Sequence, residues 1–273
     1  MKSLFFGLFG ILFSSPLFSV EQARSDAADI TAQGSQFVGY AYDLKTGELR
    51  YEERHRRITD GSGNKVVYTD YVDANEKELA KRIVRYQGDG IAKFELSDAI
   101  TQETVSAIRK HEKVLLKKTS DAVSTEREIE LNVDLDNIID AGFNDYVLNH
   151  WDELANGEKK RFNFLSTERE GWIRLMVKDA GVREESGYQI RSFQMTLANP
   201  MVRILMKPIK VEYYADMKEL YRYEGISNLK RENGKNYSVR IEFPRKDYHD
   251  LVHQSDASTS RYAKTSETSL LPK

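Results

Sequence analysis

Cysteine is absent from this 273-residue chain. That absence excludes disulfides, zinc–thiolate sites, cysteine nucleophiles and the acylated cysteine that anchors a bacterial lipoprotein. Concentrated positive charge is missing too, since 41 basic residues face 43 acidic ones for a net charge of −2. Nucleic-acid binding, which calls for a basic surface to meet phosphates, is therefore not indicated. The local clusters Arg54-His55-Arg56-Arg57 and Lys159-Lys160-Arg161 adjoin acids and read as solvated strand faces. Nucleotide-binding loops, a nucleophile elbow and the helical zinc-protease signature are all lacking. No motif asks for a cofactor.

Long hydrophobic runs are lacking as well, with one informative exception. The first 19 residues, MKSLFFGLFGILFSSPLFS, place Lys2 before an apolar run from Leu4 to Phe13, a Ser-Ser-Pro break and a small residue at Ser19. This is the order of a secretory signal, too short for a comfortable membrane span, with cleavage expected after Ser19. No transmembrane segment is expected in the chain that follows. The periplasm, or secretion beyond it, is the expected compartment. An exported domain without disulfides must rely on its own core, which a chain of this length can build.

Strand signals dominate what is present. Phe37–Tyr42 and Leu49–Tyr51 flank a Gly47-containing turn, a hairpin pattern. Runs at 66–72 and 79–86 extend it into an antiparallel meander, with further strands expected at 103–109, 113–118 and 126–133. After residue 160, alternation returns at 161–164, 172–177, 188–197, 209–213, 220–223 and 237–243. Gly47-Glu48-Leu49-Arg50-Tyr51-Glu52 echoes Lys218-Glu219-Leu220-Tyr221-Arg222-Tyr223-Glu224, which we take as one hairpin chemistry used twice. Between the two strand series, apolar residues from Ile138 to Leu154 recur at spacings of three and four. They predict one principal helix capped by Asp136 or Asp140 and stopped by Asn156-Gly157.

The chain thus divides into a signal at 1–19, a lead-in at 20–35, a single β-rich domain at 36–247 and a tail at 248–273. Eight of the last 20 residues are Ser or Thr, so the tail is expected to be disordered.

Catalytic candidates are few. His249 and His253 stand four apart, with Asp250 pointing elsewhere and Asp256 as a remote third ligand, short of a metal set. Glu53, His55 and Arg57 continue the face of Leu49 and Tyr51. They could form the polar end of a cavity, but the favoured reading is that the strand has run past the sheet into solvent. Aromatic residues, with 15 Tyr and 12 Phe, crowd alternating strand positions. They either fill a β-core or line a curved sheet that encloses an apolar pocket.

The order of export signal, meander, helical interruption and returning strands resembles the periplasmic lipoprotein carriers and their uncharacterised relatives. The stretches Gly47-Glu48-Leu49-Arg50-Tyr51-Glu52-Glu53-Arg54-His55 and Leu220-Tyr221-Arg222-Tyr223-Glu224-Gly225-Ile226-Ser227-Asn228-Leu229 look similar to segments of exported bacterial proteins of unknown function. The resemblance implies an incomplete β-barrel whose helices cover an apolar cavity, and it carries over no binding or catalytic residue. The expected fold is therefore mainly β: a curved antiparallel sheet with one principal helix covering its concave face. The expected function is non-enzymatic binding of an apolar small molecule or lipid. Phe162, Phe164, Ile173, Leu175, Val177, Phe193, Met195 and Leu197 would line the site, and Phe143, Tyr146, Val147 and Trp151 would close it. The alternatives are an envelope assembly factor contacting another protein through a sheet edge and, less favoured, an enzyme using His55 with Glu53.

Overall fold

The computed structural model describes residues 35–245 apart from 89, 121–122, 132–135 and 203–205. The signal, the lead-in except Ser35, the tail and the His249–His253 pair lie outside the described residues. The first strand series comprises β1 (Ser35–Asp43), β2 (Leu49–Thr59), β3 (Lys65–Val72), β4 (Glu78–Gln87), β5 (Gly90–Asp98), β6 (Glu103–Lys110), β7 (Lys113–Thr119) and β8 (Ser124–Glu130). A short β9 (Asn137–Ile138) leads into α1 (Gly142–Asn149) and α2 (Trp151–Ala155). The second series comprises β10 (Lys159–Ser166), β11 (Gly171–Glu185), β12 (Tyr188–Leu197), β13 (Ile209–Tyr214), β14 (Glu219–Lys230) and β15 (Asn236–Glu242).

All these strands form one sheet, in the order β8 to β1 and then β15 to β9. Each series is a meander, and the two join where β1 pairs antiparallel with β15. Only β9 runs parallel to its neighbour, β10. Register carries one face through the whole sheet. Phe164 lies opposite Ile173, Leu175 opposite Leu197, Met195 opposite Ile209 and Gly225 opposite Val239. The same face continues through Ala41 opposite Ile241 and Tyr51, Glu53 opposite Tyr71, and Phe94 opposite Ala107.

The sheet is curved enough for distant strands to meet. Lys230 of β14 pairs with Glu103 of β6 at 2.8 Å, although six strands separate them in the sheet order. The Trp172 indole of β11 donates to the Glu130 carbonyl of β8 at 2.6 Å, and Glu170 lies 3.4 Å from Lys118 and 3.7 Å from Arg127. Side chains, rather than a backbone ladder, therefore bring the two ends of the order together among the described residues. This is an open, barrel-like sheet. Gly39 serves the tight packing at the β1–β15 junction: a Cβ there would stand 2.5 Å from Phe243.

Three sequence expectations need correction. The single helix over 138–154 is two short helices, broken at His150, and its first residue belongs to β9. Asp140 does not cap it. Its backbone is left-handed at φ 44°, and its carboxylate faces Arg82 and Asn228 instead. The stop is as expected, with Asn156 at the C-cap and Gly157 at φ 92°. Strand β5 is one that the sequence pattern does not predict: its buried positions, 91, 94, 96 and 98, skip a residue where the ladder to β4 is irregular, so strict alternation fails. Finally, β2 does not run into solvent at Glu53 and His55, both of which are buried.

The echoed hairpins share their turn chemistry. Gly47 and Lys218 each take a left-handed conformation, φ 74° and φ 55°, just before β2 and β14. A register shift adjoins each turn, at Ala41/Tyr42 in β1 and at Glu212/Tyr213 in β13.

Candidate functional site

All twelve side chains expected to form the site belong to one apolar cluster. Strands β10, β11 and β12 contribute Phe162 and Phe164, then Ile173, Leu175 and Val177, then Phe193, Met195 and Leu197. Period-two alternation puts them on one face, and antiparallel register stacks them side by side. From the helices, Phe143, Tyr146, Val147 and Trp151 pack onto the same cluster, joined by Leu154, Val211 and Tyr213. The Trp151 ring meets Phe193 edge-on at 5.1 Å and Tyr213 at 5.4 Å. The Tyr213 hydroxyl, otherwise deep in the core, donates to the Asn144 side chain at 3.1 Å. That bond fixes α1 against β13.

Eight of the twelve are buried, whereas Phe143, Phe164, Ile173 and Leu197 are only partly so. Three of these four come from the strand ends nearest the 167–170 turn and the 198–208 connection. Met206 of that connection packs against the cluster, and Met201 beyond it is 88% exposed. The cluster therefore has a dense, buried centre and an apolar margin that water still reaches.

A second constellation contains the Glu53–His55 pair that the sequence offers as an enzyme candidate and adds Thr69, Arg82, Asp140 and Asn228 to it. Register puts Glu53, His55, Thr69 and Arg82 on neighbouring inward positions of β2, β3 and β4. The His55 Nε2 lies 3.1 Å from Glu53 Oε2, and its Nδ1 lies 2.9 Å from Thr69 Oγ1. Arg82 donates to Thr69 Oγ1 at 3.3 Å and to Asp140 Oδ2 at 3.3 Å, and Asn228 donates to Asp140 Oδ1 at 2.7 Å. Asp140 thus ties the start of the helical segment to β4 and to β14 together.

Burial lowers the His55 pKa, and the Glu53 bond only partly opposes it, so the imidazole is neutral near pH 7. The Glu53 carboxylate can only accept, so the one hydrogen of the neutral imidazole sits on Nε2; Nδ1 then accepts from Thr69, whose oxygen takes the Arg82 hydrogen. The tautomer with hydrogen on Nε2 thus satisfies Glu53, His55 and Thr69 together. Burial would push Arg82 down, but the charges around it, Asp140 foremost, raise it instead and keep it cationic. Its Nε has no hydrogen-bond partner among the described residues. Burial raises the phenols of Tyr51 and Tyr71, which stay neutral beside this network.

A hydroxyl, an imidazole and a carboxylate in sequence have the order used in nucleophilic catalysis. Here, however, Thr69 is 1% exposed, and Phe37 stacks on the imidazole with ring centroids 4.4 Å apart. A substrate reaching the hydroxyl would have to displace these packed groups. The sequence did hold a signal for the network: alternation sets Arg82 between Ala80 and Val84, and Thr69 between Val67 and Tyr71, on inward-facing positions. Among the described residues, no group of three or more His, Asp or Glu is disposed to hold a metal ion. No described helix is long and apolar enough to cross a membrane.

No protein-family model matches the sequence, and no curated protein matches it. Among solved structures, the chain is similar to a β-barrel-like protein of domain of unknown function DUF1849 from Brucella abortus. That match is 9% identical with a TM-score of 0.42, and it covers 77% of this chain and 95% of that one. It brings no relation to lipoprotein carriers.

Proposed function

We propose that the protein is a non-enzymatic periplasmic binding protein for an apolar or lipid-like ligand, with α1 and α2 covering the concave side of the sheet over β10–β13. One observation carries this reading. Twelve apolar side chains from three strands and two helices converge on one cluster, and four of them keep a water-accessible margin. Partly exposed apolar surface beside a packed cluster is favourable ground for an acyl chain, at about 25 cal/mol for each Å² removed from water. The guest would lie along Phe143, Phe164, Ile173 and Leu197, with deeper entry requiring the short helices to move. Native mass spectrometry of gently purified protein should show bound apolar mass, and fluorescent fatty-acid probes should compete for it. A protein that is ligand-free and indifferent to such probes would sink the proposal.

An assembly role through a sheet edge has one observation in its favour, the highly exposed strand β8. Its charges at Glu126, Arg127, Glu128 and Glu130 discourage strand addition, and Trp172 already occupies the Glu130 carbonyl. Crosslinking in intact cells would favour this second role if it trapped one discrete protein.

A further inference from the structure

Three chain segments meet at one rim of the sheet and border an open pocket of about 630 Å³: the β1–β2 turn, the connection before β13, and the turn after β14. Lys45, Arg50, Lys207 and Arg231 line it, together with one carboxylate, Asp43, and the Ser238 and Thr46 hydroxyls. Asp43 organises this pocket. Its carboxylate accepts the backbone N–H groups of Lys45 at 2.9 Å and Thr46 at 3.2 Å, receives Arg231 at 2.8 Å and lies 3.4 Å from Arg50. The Lys45 and Thr46 N–H bonds and the two arginines hold its pKa below the usual carboxylate value, against the opposing effect of burial. Glu48, outside the pocket, takes one further Arg50 nitrogen at 2.9 Å. Nothing comparable neutralises the lysines: among the described residues, neither Lys45 nor Lys207 has an ion-pair partner. Four cations thus face one lining carboxylate, in a chain whose net charge is −2.

We propose that this rim pocket binds a phosphate-type anionic group, the polar end of an amphiphilic ligand. Two fixed arginines and two free ammonium groups suit a doubly charged oxyanion, with the Ser238 hydroxyl as a further donor, while the Thr46 hydroxyl donates to Glu48 instead. The volume is in the range that holds a whole ligand portion rather than a bare ion. Lys207 directly follows Met206, which packs against the apolar cluster along with Leu197 and Ile209. The pocket and the water-reached apolar margin therefore adjoin along one stretch of chain. Only the assignment of the tail to that margin rests on the apolar-ligand reading; the anion site stands on its own charges.

Isothermal titration calorimetry on the whole protein tests this with dodecyl phosphate below its micelle concentration, dodecanol and inorganic phosphate. The variant is Lys45→Ala with Lys207→Ala, which leaves the Asp43–arginine framework in place. Dodecyl phosphate should bind roughly tenfold more weakly to the variant, as loss of two exposed charges implies. Dodecanol should not distinguish the two proteins, and Lys→Arg at both positions should restore binding. If inorganic phosphate binds as tightly as dodecyl phosphate and both weaken in the variant, the anion site is upheld with a free anion as its source, and the apolar-ligand reading loses its support. Dodecyl phosphate that binds both proteins equally would overturn the anion site while leaving that reading intact. Failure of both anions to bind would also overturn it.

Discussion

Glu212→Gln removes a negative charge from the outer side of β13 at almost constant shape. Glu212 is 1% exposed, yet its carboxylate is surrounded by donors. Arg183 reaches it at 2.5 and 2.9 Å, Lys210 at 2.5 Å, Ser192 at 2.9 Å and Arg222 at 3.4 Å. Burial alone would raise its pKa, but the bonds from Arg183, Lys210 and Ser192 outweigh that and bring it from 4.5 to about 2. At 1.36 kcal/mol for each pKa unit, ionised Glu212 contributes about 3 kcal/mol to stability. The folded-state pKa is the lower one, so this contribution is complete above pH 4.5 and is lost as pH falls towards 2. Urea unfolding at a series of pH values should therefore show the variant less stable by about 3 kcal/mol at neutral pH, with the gap closing in acid. Taking the difference between the two proteins cancels the titration of carboxylates that share no cation with Glu212, leaving Glu185 and Glu242, which share Arg183 and Arg222 with it, as the neighbours that can respond. A gap below about 0.5 kcal/mol at neutral pH, or one that does not shrink in acid, would refute the reasoning.

Trp151→Ala should cost about 3–5 kcal/mol by emptying the space between Phe193 and Tyr213, and should also weaken fatty-acid probe binding; thermal melting and probe titration read the two effects. Gly39→Ala should destabilise by about 1–3 kcal/mol because its Cβ meets Phe243, which calorimetry would detect; an unchanged melting temperature would contradict the packing at the β1–β15 junction. Burial holds His55 below its ordinary pKa of 6.5, so its contribution is present above that value and falls away as the solution becomes more acidic. His55→Gln should remove that part of the pH dependence below pH 6.5, read as the difference in urea midpoints, and should leave ligand binding unaltered.

Much of the strand content was legible because a sheet with one buried face writes period-two alternation into its sequence. Strand β12 runs from Tyr188 to Leu197, matching the expected span, with Phe193 and Met195 turned inward. The apolar side chains expected to form the site also converged, since register follows from alternation and short turns. Legibility failed where the period broke. The irregularity in β5 hid Ile91 and Phe94 from an alternation test. The left-handed residue Asp140 and the break at His150 split what looked like one helix. Glu53 and His55 looked like solvent-facing polar residues because nothing local shows that Phe37, Thr69 and Arg82 surround them.

By itself, the sequence determined the mainly β class, the inward and outward faces of most strands, and the absence of any cysteine chemistry. These depend on composition and on a repeat of two residues, both of which are local. Tertiary structure decided that the first and last described strands pair at the middle of one sheet, and that Arg82, Asp140 and Asn228 meet across it. It also gathered Lys45, Lys207 and Arg231 at one rim. Such meetings join residues far apart in the chain, and their energies depend on burial and on partners that no short window of sequence contains.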